Sequence, residues 1–415
     1  MPSPPSLFPR LIEPTIRTAL ADTPVVCVTG PRQSGKTTLV RNMEANRAFY
    51  SLEQDTHYRF ASSDPDGFIA SLPDYVCLDE VQRVPALFHA LKISVDQDRR
   101  PGRFLLTGSA NPLLVPNASE SLAGRMEVVQ LQPLTEAEKE RKPGHFLSDF
   151  LSGAFTPRLR PKSTLPKSTL EKRLVAGGYP EALARTPDRA RQWHRQYLRS
   201  LIERDVKEAA RVRGMNELER LMKLLALRTG QLLNVSNLAS DTGLHRETIE
   251  HYIAVLERIF LVRRLPAWHS NASKRLLKSP KVHFLDSGLT ATLVDLTVES
   301  WNDDRDRMGH LLESFALQQL TAQATWSDPS LNFWHYRDKD QVEVDIVLTQ
   351  GRKVWGIEIK ASVSLGSDVG RGLARLANKC KKDFVHGIVL YNGQDIFPVN
   401  DERILAVPLR ELWKR

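Results

Sequence analysis

One octapeptide constrains this chain more than any other feature of its sequence. The segment Gly30-Pro31-Arg32-Gln33-Ser34-Gly35-Lys36-Thr37 fits the pattern G-x-x-x-x-G-K-[ST], follows the apolar run Val25–Val28 and opens a helical stretch. The two glycines allow the backbone to curl, so that its N–H groups point inward at phosphate oxygens. The helix amino terminus adds a positive dipole end. This strand–loop–helix order predicts an α/β fold that binds a nucleotide.

The residues around the loop predict hydrolysis of ATP rather than binding alone. Lys36 is expected to contact the β- and γ-phosphates, and Thr37 to place its hydroxyl on Mg²⁺. A later apolar strand ends in Asp79 and Glu80. Asp79 is expected to hold the Mg²⁺ through water, and Glu80 to orient or deprotonate the attacking water. The predicted nucleotide-binding residues are Gly30, Pro31, Arg32, Gln33, Ser34, Gly35, Lys36, Thr37, Thr38, Asp79 and Ser109.

Residues after the next strand and before the last strand are candidates for completing this site. Thr107, Ser109 or Asn111, which follow the next strand, could bond the γ-phosphate or its water, although a simple polar turn is the alternative. Arg125 opens the last strand of the domain and could stabilise the transferred phosphate in a neighbouring subunit. That role requires a homo-oligomer, and a surface or packing arginine is the alternative.

The distribution of charge and apolar runs predicts several domains in the 415 residues. Residues 141–270 carry 24 Lys and Arg against 13 Asp and Glu, whereas 1–140 carry 14 against 17 and 271–415 carry 20 against 19. The basic excess therefore lies in the middle third, as expected of a segment that meets a polyanion such as DNA. A solvated helical surface is the alternative. Apolar runs that alternate with helical stretches predict a parallel sheet, with strands at Val25–Val28, Ala48–Leu52, Tyr75–Leu78, Arg103–Thr107 and Glu127–Leu131.

Four segments are predicted. The ATPase domain is assigned to 1–140, and a basic linker to 141–170, which contains the tandem repeat Pro-Lys-Ser-Thr-Leu at 161–170. A helical and winged-helix segment is assigned to 171–290. Its three helices are expected near 216–229, 236–241 with Ser236 as cap, and 245–259, followed by a wing strand with Arg263 and Arg264. A second α/β domain is assigned to 300–415.

Acidic residues in the last segment form a second candidate site. Val342–Leu348 alternates like a half-buried strand and contains Asp345, and the next strand ends in Glu358 and Lys360. Residues i and i+2 of a strand face the same side, and a hairpin would bring Asp345 alongside. Asp345 and Glu358 could hold a Mg²⁺, Lys360 could position water, and Glu313 on the preceding helix could complete the cluster.

The combination of these motifs resembles a large family of prokaryotic AAA+-type P-loop ATPases. This resemblance implies an AAA+-like ATPase, a winged helix and a C-terminal PD-(D/E)xK nuclease-like domain, which in such proteins often binds DNA without cutting it. The repeat at 161–170 departs from the family pattern. The residues that carry the resemblance are Gly30–Thr38, Leu78–Glu80, Thr107–Ser109, Leu122–Arg125, Pro133–Leu134, Gly177–Glu181, Tyr197, Arg204–Val206, Ser279–Leu289 and the acidic hairpin.

These observations predict an ATP-hydrolysing, Mg²⁺-using protein that acts on DNA. Two alternatives stay open: a motor that remodels or migrates branched DNA without cutting it, and a nucleotide-dependent switch that signals through protein contacts. The chain has 3 cysteines without metal-ligand spacing, and it has neither a signal-peptide pattern nor an apolar run long enough to span a bilayer. A cytoplasmic location without membrane contact is therefore expected.

Overall fold

The structure, a computed structural model, describes residues 7–43, 47–109, 122–159, 170–203, 215–271, 275 and 278–414. It contains two compact units. The first unit comprises Pro9–Leu134 and Leu256–Leu261, and the second is built from Thr135–Val255 and Val262–Arg415. No helix among the described residues is long and apolar enough to cross a membrane. Residues 161–169 of the tandem repeat at 161–170 lie outside the described residues, as do Asn111 and Arg204–Val206.

The first unit is a five-stranded parallel sheet with helical connections. The strand order is β2-β3-β4-β1-β5, and the five strands lie where the apolar runs predict them, to within one residue at most ends. Every residue of β1, β3 and β4 is buried, because helices cover both faces of a parallel sheet. The elements are α1 Glu13–Asp22, β1 Val25–Thr29, α2 Lys36–Met43, β2 Ala48–Ser51, α3 Asp55–Ser63, α4 Pro65–Ala70, β3 Val76–Asp79, α5 Leu87–Gln97, β4 Phe104–Gly108 and β5 Met126–Gln130.

The packing of α5 illustrates how this core forms. Leu87, Phe88, Leu91 and Val95 recur at helical spacing and are buried against the sheet. Burial of each such side chain contributes about 1.5–3 kcal/mol. Parallel strands end at the same edge of a sheet, so the residues that follow β1, β3 and β4 lie close together.

The second unit begins with helices and a small antiparallel sheet in the order β6-β8-β7. The cap of the helix Val235–Thr242, α12, is Asn234, whose side chain accepts a hydrogen bond from the backbone N–H of Asn237, so the prediction of Ser236 as cap was wrong by two residues. The elements are α6 Glu136–Lys139, α7 Phe146–Ser152, α8 Leu170–Ala176, α9 Pro180–Leu183, α10 Pro187–Leu201, α11 Met215–Leu227, β6 Gln231–Leu232, α12 Val235–Thr242, α13 Arg246–Arg258, β7 Val262–Leu265 and β8 Lys281–Phe284.

The second unit continues with a six-stranded mixed sheet in the order β13-β14-β12-β11-β10-β9. Strands β9, β10 and β11 pair antiparallel, whereas β11, β12 and β14 pair parallel. The elements are α14 Ser287–Leu293, α15 Ser300–Asp303, α16 Arg305–Ser327, β9 Asn332–Arg337, β10 Glu343–Gln350, β11 Lys353–Lys360, α17 Arg371–Cys380, β12 Phe384–Tyr391, β13 Phe397–Val399, β14 Asp401–Pro408 and α18 Glu411–Lys414.

Helix α16 packs against both the helical part and the mixed sheet of the second unit. In this helix of 23 residues, every residue from Leu311 to Ala324 is buried, as expected of a helix that is covered on every side. Phe146 and Leu174 from the helical part and Trp355 from the mixed sheet belong to the same core as α16. The segments predicted as 171–290 and 300–415 therefore share one hydrophobic core.

The connection that follows β7 is bound to the edge of the mixed sheet. The backbone N–H of Trp268 donates to the carbonyl of His335 at 2.6 Å, and that of His335 donates to the carbonyl of Pro266 at 2.9 Å. These bonds cover the edge strand β9, which would otherwise present free backbone groups.

Candidate functional site

The loop between β1 and α2 requires its glycines. Gly30 has φ of 149°, and a Cβ there would lie 2.1 Å from the carbonyl oxygen of Leu131. Gly35 has φ of 96°, a conformation that side chains rarely adopt. The non-glycine Gln33 also has a positive φ, of 59°. The loop therefore curls as the motif predicts.

Lysine and arginine side chains bind the carbonyl groups of this loop. Lys36, 4% exposed, donates from Nζ to the carbonyls of Gly30 at 3.0 Å and Pro31 at 2.9 Å. Arg10 donates to the carbonyls of Ser34 and Gln132, each at 2.6 Å. Arg10 was missed by the sequence analysis because nothing local links it to the loop.

Asp79 lies at the carboxyl end of β3 and accepts three side-chain hydrogen bonds. Its Oδ1 accepts from Thr37 Oγ1 at 2.9 Å and from Thr107 Oγ1 at 2.6 Å, and its Oδ2 accepts from Ser51 Oγ at 3.2 Å. Asp79 is buried, so these bonds compensate for the desolvation of its charge. The structure thus brings Thr37 and Asp79, the two predicted Mg²⁺ ligands of this site, into direct contact.

Glu80 is held by three polar neighbours, Thr107, Ser109 and Gln82. Its backbone lies in the left-handed region with φ of 58°, and its N–H donates to Thr107 Oγ1 at 3.1 Å. Ser109 Oγ donates to Glu80 Oε2 at 2.8 Å, and Gln82 Nε2 donates to the same oxygen. Gln82 also donates to Ser109 Oγ at 2.9 Å. Ser109, predicted as a nucleotide ligand, therefore contacts Glu80, and Gln82 is a site residue that sequence analysis missed.

These residues fit ATP and Mg²⁺ by the chemistry of their groups. The loop that begins at Gly30 forms a cradle that a Cβ would fill, and Lys36 adds an ammonium group for phosphate oxygens. Thr37 and Asp79 place two oxygen atoms side by side, and oxygen is the ligand that Mg²⁺ prefers. Ser34 Oγ is buried without a hydrogen-bond partner among the described residues. Of the remaining predicted ligands, Arg32 is half-buried and Thr38 exposed.

Arg125 lies at the opposite end of the sheet from the loop. It precedes β5, whose Met126 pairs with Val25 at the start of β1. The strand length of five residues separates the two ends by roughly 17 Å. The guanidinium is bound to Asp96, with Nε–Oδ1 at 2.7 Å and Nη2–Oδ2 at 3.0 Å. Contact of Arg125 with the loop of its own chain is therefore excluded, and a role in a neighbouring subunit stays a prediction.

The predicted acidic hairpin forms in the second unit. Ile346 pairs with Ile357, so Asp345 and Glu358 are the next residues on either strand. The backbone N–H of Ile359 donates to Asp345 Oδ2 at 2.7 Å. Lys360 Nζ lies 2.9 Å from Glu358 Oε1, as the same-side rule for i and i+2 predicts.

A lysine from β8 enters this acidic cluster. Lys281 Nζ lies 2.9 Å from Glu313 Oε1, 3.7 Å from Glu343 Oε2 and 3.9 Å from Asp345 Oδ1. Lys281 is 4% exposed and Glu313 is 7% exposed. His283, also on β8, places Nε2 3.8 Å from Glu313 Oε1. Lys281 was missed because it lies in a different predicted segment from the carboxylates.

Burial changes the acidity of this cluster. It raises the pKa of Glu313 to about 8, against the opposing effect of the Lys281 ammonium. Burial also raises the pKa of Glu358, whose Oε2 has no hydrogen-bond partner among the described residues. In the described part of the chain, no group of three or more His, Cys, Asp or Glu side chains is arranged to hold a metal ion. The Mg²⁺ predicted at Asp345 and Glu358 stays a prediction.

The basic middle segment presents one row of arginines. Arg191, Arg195 and Arg199 recur every four residues along α10, and their side chains pair with Asp295 and Glu203. Pairs between exposed groups are worth about 0–1 kcal/mol, so these arginines can exchange their partners.

The wing arginines are less available. Arg264 donates to Glu250 Oε2 at 3.0 Å, and burial lowers the pKa of Arg263 to about 10.

Comparison with known proteins identifies three matching regions. Residues 22–139 match the family described as AAA domain, 167–300 a domain of unknown function, DUF8612, and 308–412 a domain of unknown function, DUF4143. The Walker-type ATPase of Pyrococcus abyssi is similar over 69% of this chain and 96% of its own, with 14% identity and a TM-score of 0.43.

Two relatives match almost the whole chain. Uncharacterized proteins of Mycobacterium tuberculosis and Mycobacterium bovis are each 30% identical over 406 residues, which is 96% of this chain and 82% of the relative. The AAA match covers the loop, Asp79 and Glu80. The chain therefore belongs to the same family as these mycobacterial proteins, and its AAA domain makes it an AAA-type ATPase.

Proposed function

We propose that this protein couples ATP hydrolysis to the binding of DNA by its second unit. The observation that carries the DNA part is the row Arg191, Arg195 and Arg199 on α10, within the segment that holds the basic excess of the chain. Residues four apart rise about 6 Å along a helix, so the row can follow successive phosphates. The three arginines would supply sequence-independent affinity.

The ATPase part uses the residues around the loop. Lys36 would neutralise phosphate charge, and Thr37 with Asp79 would hold the Mg²⁺, which supplies charge stabilisation when bound. Glu80 would orient the attacking water with Oε1, because Ser109 and Gln82 both donate to Oε2. Arg125 would act on a neighbouring subunit of a homo-oligomer after release from Asp96.

The helices and small sheet around α13 support a winged helix as the DNA-reading part. The order α11, β6, α12, α13, β7, β8 places a two-turn helix and a longer helix before a hairpin. His245 and Arg246 at the start of α13 are exposed, as expected for residues that enter a groove.

The first experiment measures ATP hydrolysis with and without single-stranded, duplex and branched DNA, with Glu80→Gln as the inactive control. We expect stimulation by at least one DNA form. DNA affinity is measured by fluorescence anisotropy across a salt series for the wild type, the double variant Arg195→Glu/Arg199→Glu and the matched control Arg352→Glu. Arg352 is an exposed, ion-paired arginine of the β10–β11 turn.

The double variant is expected to weaken binding and to reduce the salt slope by about one for each phosphate that it no longer neutralises, whereas the control leaves both unchanged. An unchanged affinity and slope in the double variant would contradict the assignment to α10. Basal hydrolysis that no DNA form changes would instead favour a nucleotide-dependent switch that acts through protein contacts.

DNA cleavage is a second candidate activity, favoured by the hairpin that brings Asp345 next to Glu358 and Lys360. Its test is a gel assay of Mg²⁺-dependent cleavage with the Asp345→Ala variant. Cleavage that this variant loses while ATP hydrolysis persists would establish it. Stimulated hydrolysis without cleavage would favour a motor that remodels DNA.

A further inference from the structure

We infer that Lys281 is the resident cation of the acidic cluster and that its ammonium group keeps divalent metal ions out of it. The inference goes beyond the proposed ATPase and DNA-binding function, and it argues against the second candidate activity, DNA cleavage. It rests on the contacts of Lys281 in the second unit, and its outcome is separate from DNA stimulation of ATP hydrolysis.

The position of the ammonium group is the first argument. Lys281 Nζ lies between the carboxylates of Glu313, Glu343 and Asp345, at 2.9, 3.7 and 3.9 Å. A Mg²⁺ shared by Glu313 and Asp345 needs oxygen ligands at about 2.0–2.1 Å and would have to displace this group. The lysine side chain is buried, so it has no solvent-exposed alternative position without a shift of β8.

The charge balance is the second argument. Four carboxylates of the cluster face three basic side chains, and each carboxylate lies within salt-bridge distance of at least one of them. Arg337 lies 2.9 Å from Glu343, and Lys360 lies 2.9 Å from Glu358. The cluster therefore carries a net charge of −1 when all its members are ionised, where the four carboxylates alone would carry −4. Most of the electrostatic attraction for a dication is already satisfied by the chain itself. The carboxylates are Glu313, Glu343, Asp345 and Glu358, and the basic residues are Lys281, Arg337 and Lys360.

The way in which the fold holds Lys281 is the third argument. Lys281 belongs to β8, where it pairs with Leu265 of β7 and Leu232 of β6. The neighbouring Val282 and Phe284 are buried, and the connection between β7 and β8 is bound to β9. The small sheet therefore positions the lysine on the acidic hairpin, and a change in this sheet would be needed to withdraw it.

The experiment measures Mn²⁺ binding to the full chain by calorimetry without nucleotide. Mn²⁺ stands for Mg²⁺ because it prefers the same oxygen ligands. Five proteins are compared: wild type, Asp345→Asn, Lys281→Met, Lys281→Met/Asp345→Asn, and the matched control Lys278→Met. Lys278 is an exposed lysine that precedes β8 and donates to a carbonyl at 2.9 Å.

We expect the wild type to show no Mn²⁺ binding that Asp345→Asn removes, and Lys278→Met to match the wild type. Lys281→Met should gain one site, whose dissociation constant is at least about tenfold below that of any wild-type binding, and the Lys281→Met/Asp345→Asn variant should lack this site. Wild-type binding that Asp345→Asn removes would overturn the inference, as would a folded Lys281→Met variant without the new site. The wild-type comparison decides the question even if Lys281→Met does not fold.

Cleavage assays separate this inference from the proposed function. If Lys281 excludes the metal, the wild type does not cut DNA in Mg²⁺ whether or not DNA stimulates its ATP hydrolysis. Failure of stimulation would contradict the proposed function and leave the metal-binding result intact.

Discussion

Two substitutions of Asp79 can distinguish its contribution to stability from its contribution to ATP hydrolysis. The two substitutions Asp79→Asn and Asp79→Ala both remove its charge, but the first keeps one of the two oxygen acceptors, whereas the second removes both. In Asp79→Asn the retained Oδ1 still accepts from Thr37 and Thr107, and the new amide can donate to Ser51 Oγ. In Asp79→Ala the hydroxyls of Ser51 and Thr107, both buried, lose their acceptor.

The magnitudes follow from these hydrogen bonds. A hydrogen bond to a charged group is worth about 1.5–3 kcal/mol, so the removal of two buried ones lowers the free energy of unfolding of the first unit by at least about 3 kcal/mol. For a unit of this size the change corresponds to a fall in Tm of roughly 10 °C. Asp79→Asn should keep its Tm within about 2 °C of the wild type and lose roughly 10- to 100-fold in kcat, because the metal loses its charged neighbour.

The assay can use a control that the chain provides. All 7 tryptophans lie between Trp193 and Trp413, in the second unit. Thermal unfolding followed by circular dichroism reports on both units, whereas tryptophan fluorescence reports on the second. We expect Asp79→Ala to shift only the dichroism transition. Equal stability of the two variants, or wild-type hydrolysis by Asp79→Asn, would refute the reasoning.

Three further predictions concern single residues. Gly30→Ala should raise the Kd for a fluorescent ATP analogue at least tenfold, because its Cβ would lie 2.1 Å from the carbonyl oxygen of Leu131, and wild-type affinity would contradict this. Gln82→Ala should lower kcat about tenfold with little change in KM, since it frees Glu80, and a changed KM alone would point to nucleotide binding instead. Burial lowers the pKa of His335 to about 4. Stability present above the unfolded pKa of about 6.5 should therefore be lost as pH falls towards 4, by roughly 2 kcal/mol at pH 5, and His335→Gln should show a smaller loss in denaturant titrations.

Much of the first unit could be predicted because its signals are local. The predicted apolar runs form the parallel strands, the octapeptide forms the loop between β1 and α2, and Thr37 contacts Asp79. Each of these predictions depends on nearby residues only, because it uses the period of a strand, the conformation of a glycine, or the rule that parallel strands end at one edge of the sheet. The hairpin of Asp345 and Glu358 was predictable for the same reason, since its register depends on a short turn.

The contacts that set the chemistry of each site came from the tertiary structure. Arg10 and Ser34 lie 24 residues apart, Arg10 and Gln132 lie 122 apart, and Lys281 and Glu313 lie 32 apart. Neither periodicity nor a motif identifies such partners, because side-chain direction and packing decide which groups meet.

The sequence by itself predicted a site for a nucleotide phosphate, since a loop with Gly30, Gly35 and Lys36 between a strand and a helix is typical of such sites. Only the tertiary structure decided that the acidic cluster of Glu313 and Asp345 surrounds a lysine. The physical reason is that a buried charge must find its counter-charge in space, whatever the distance along the chain, and the packing of β8 against α16 and the hairpin supplies it.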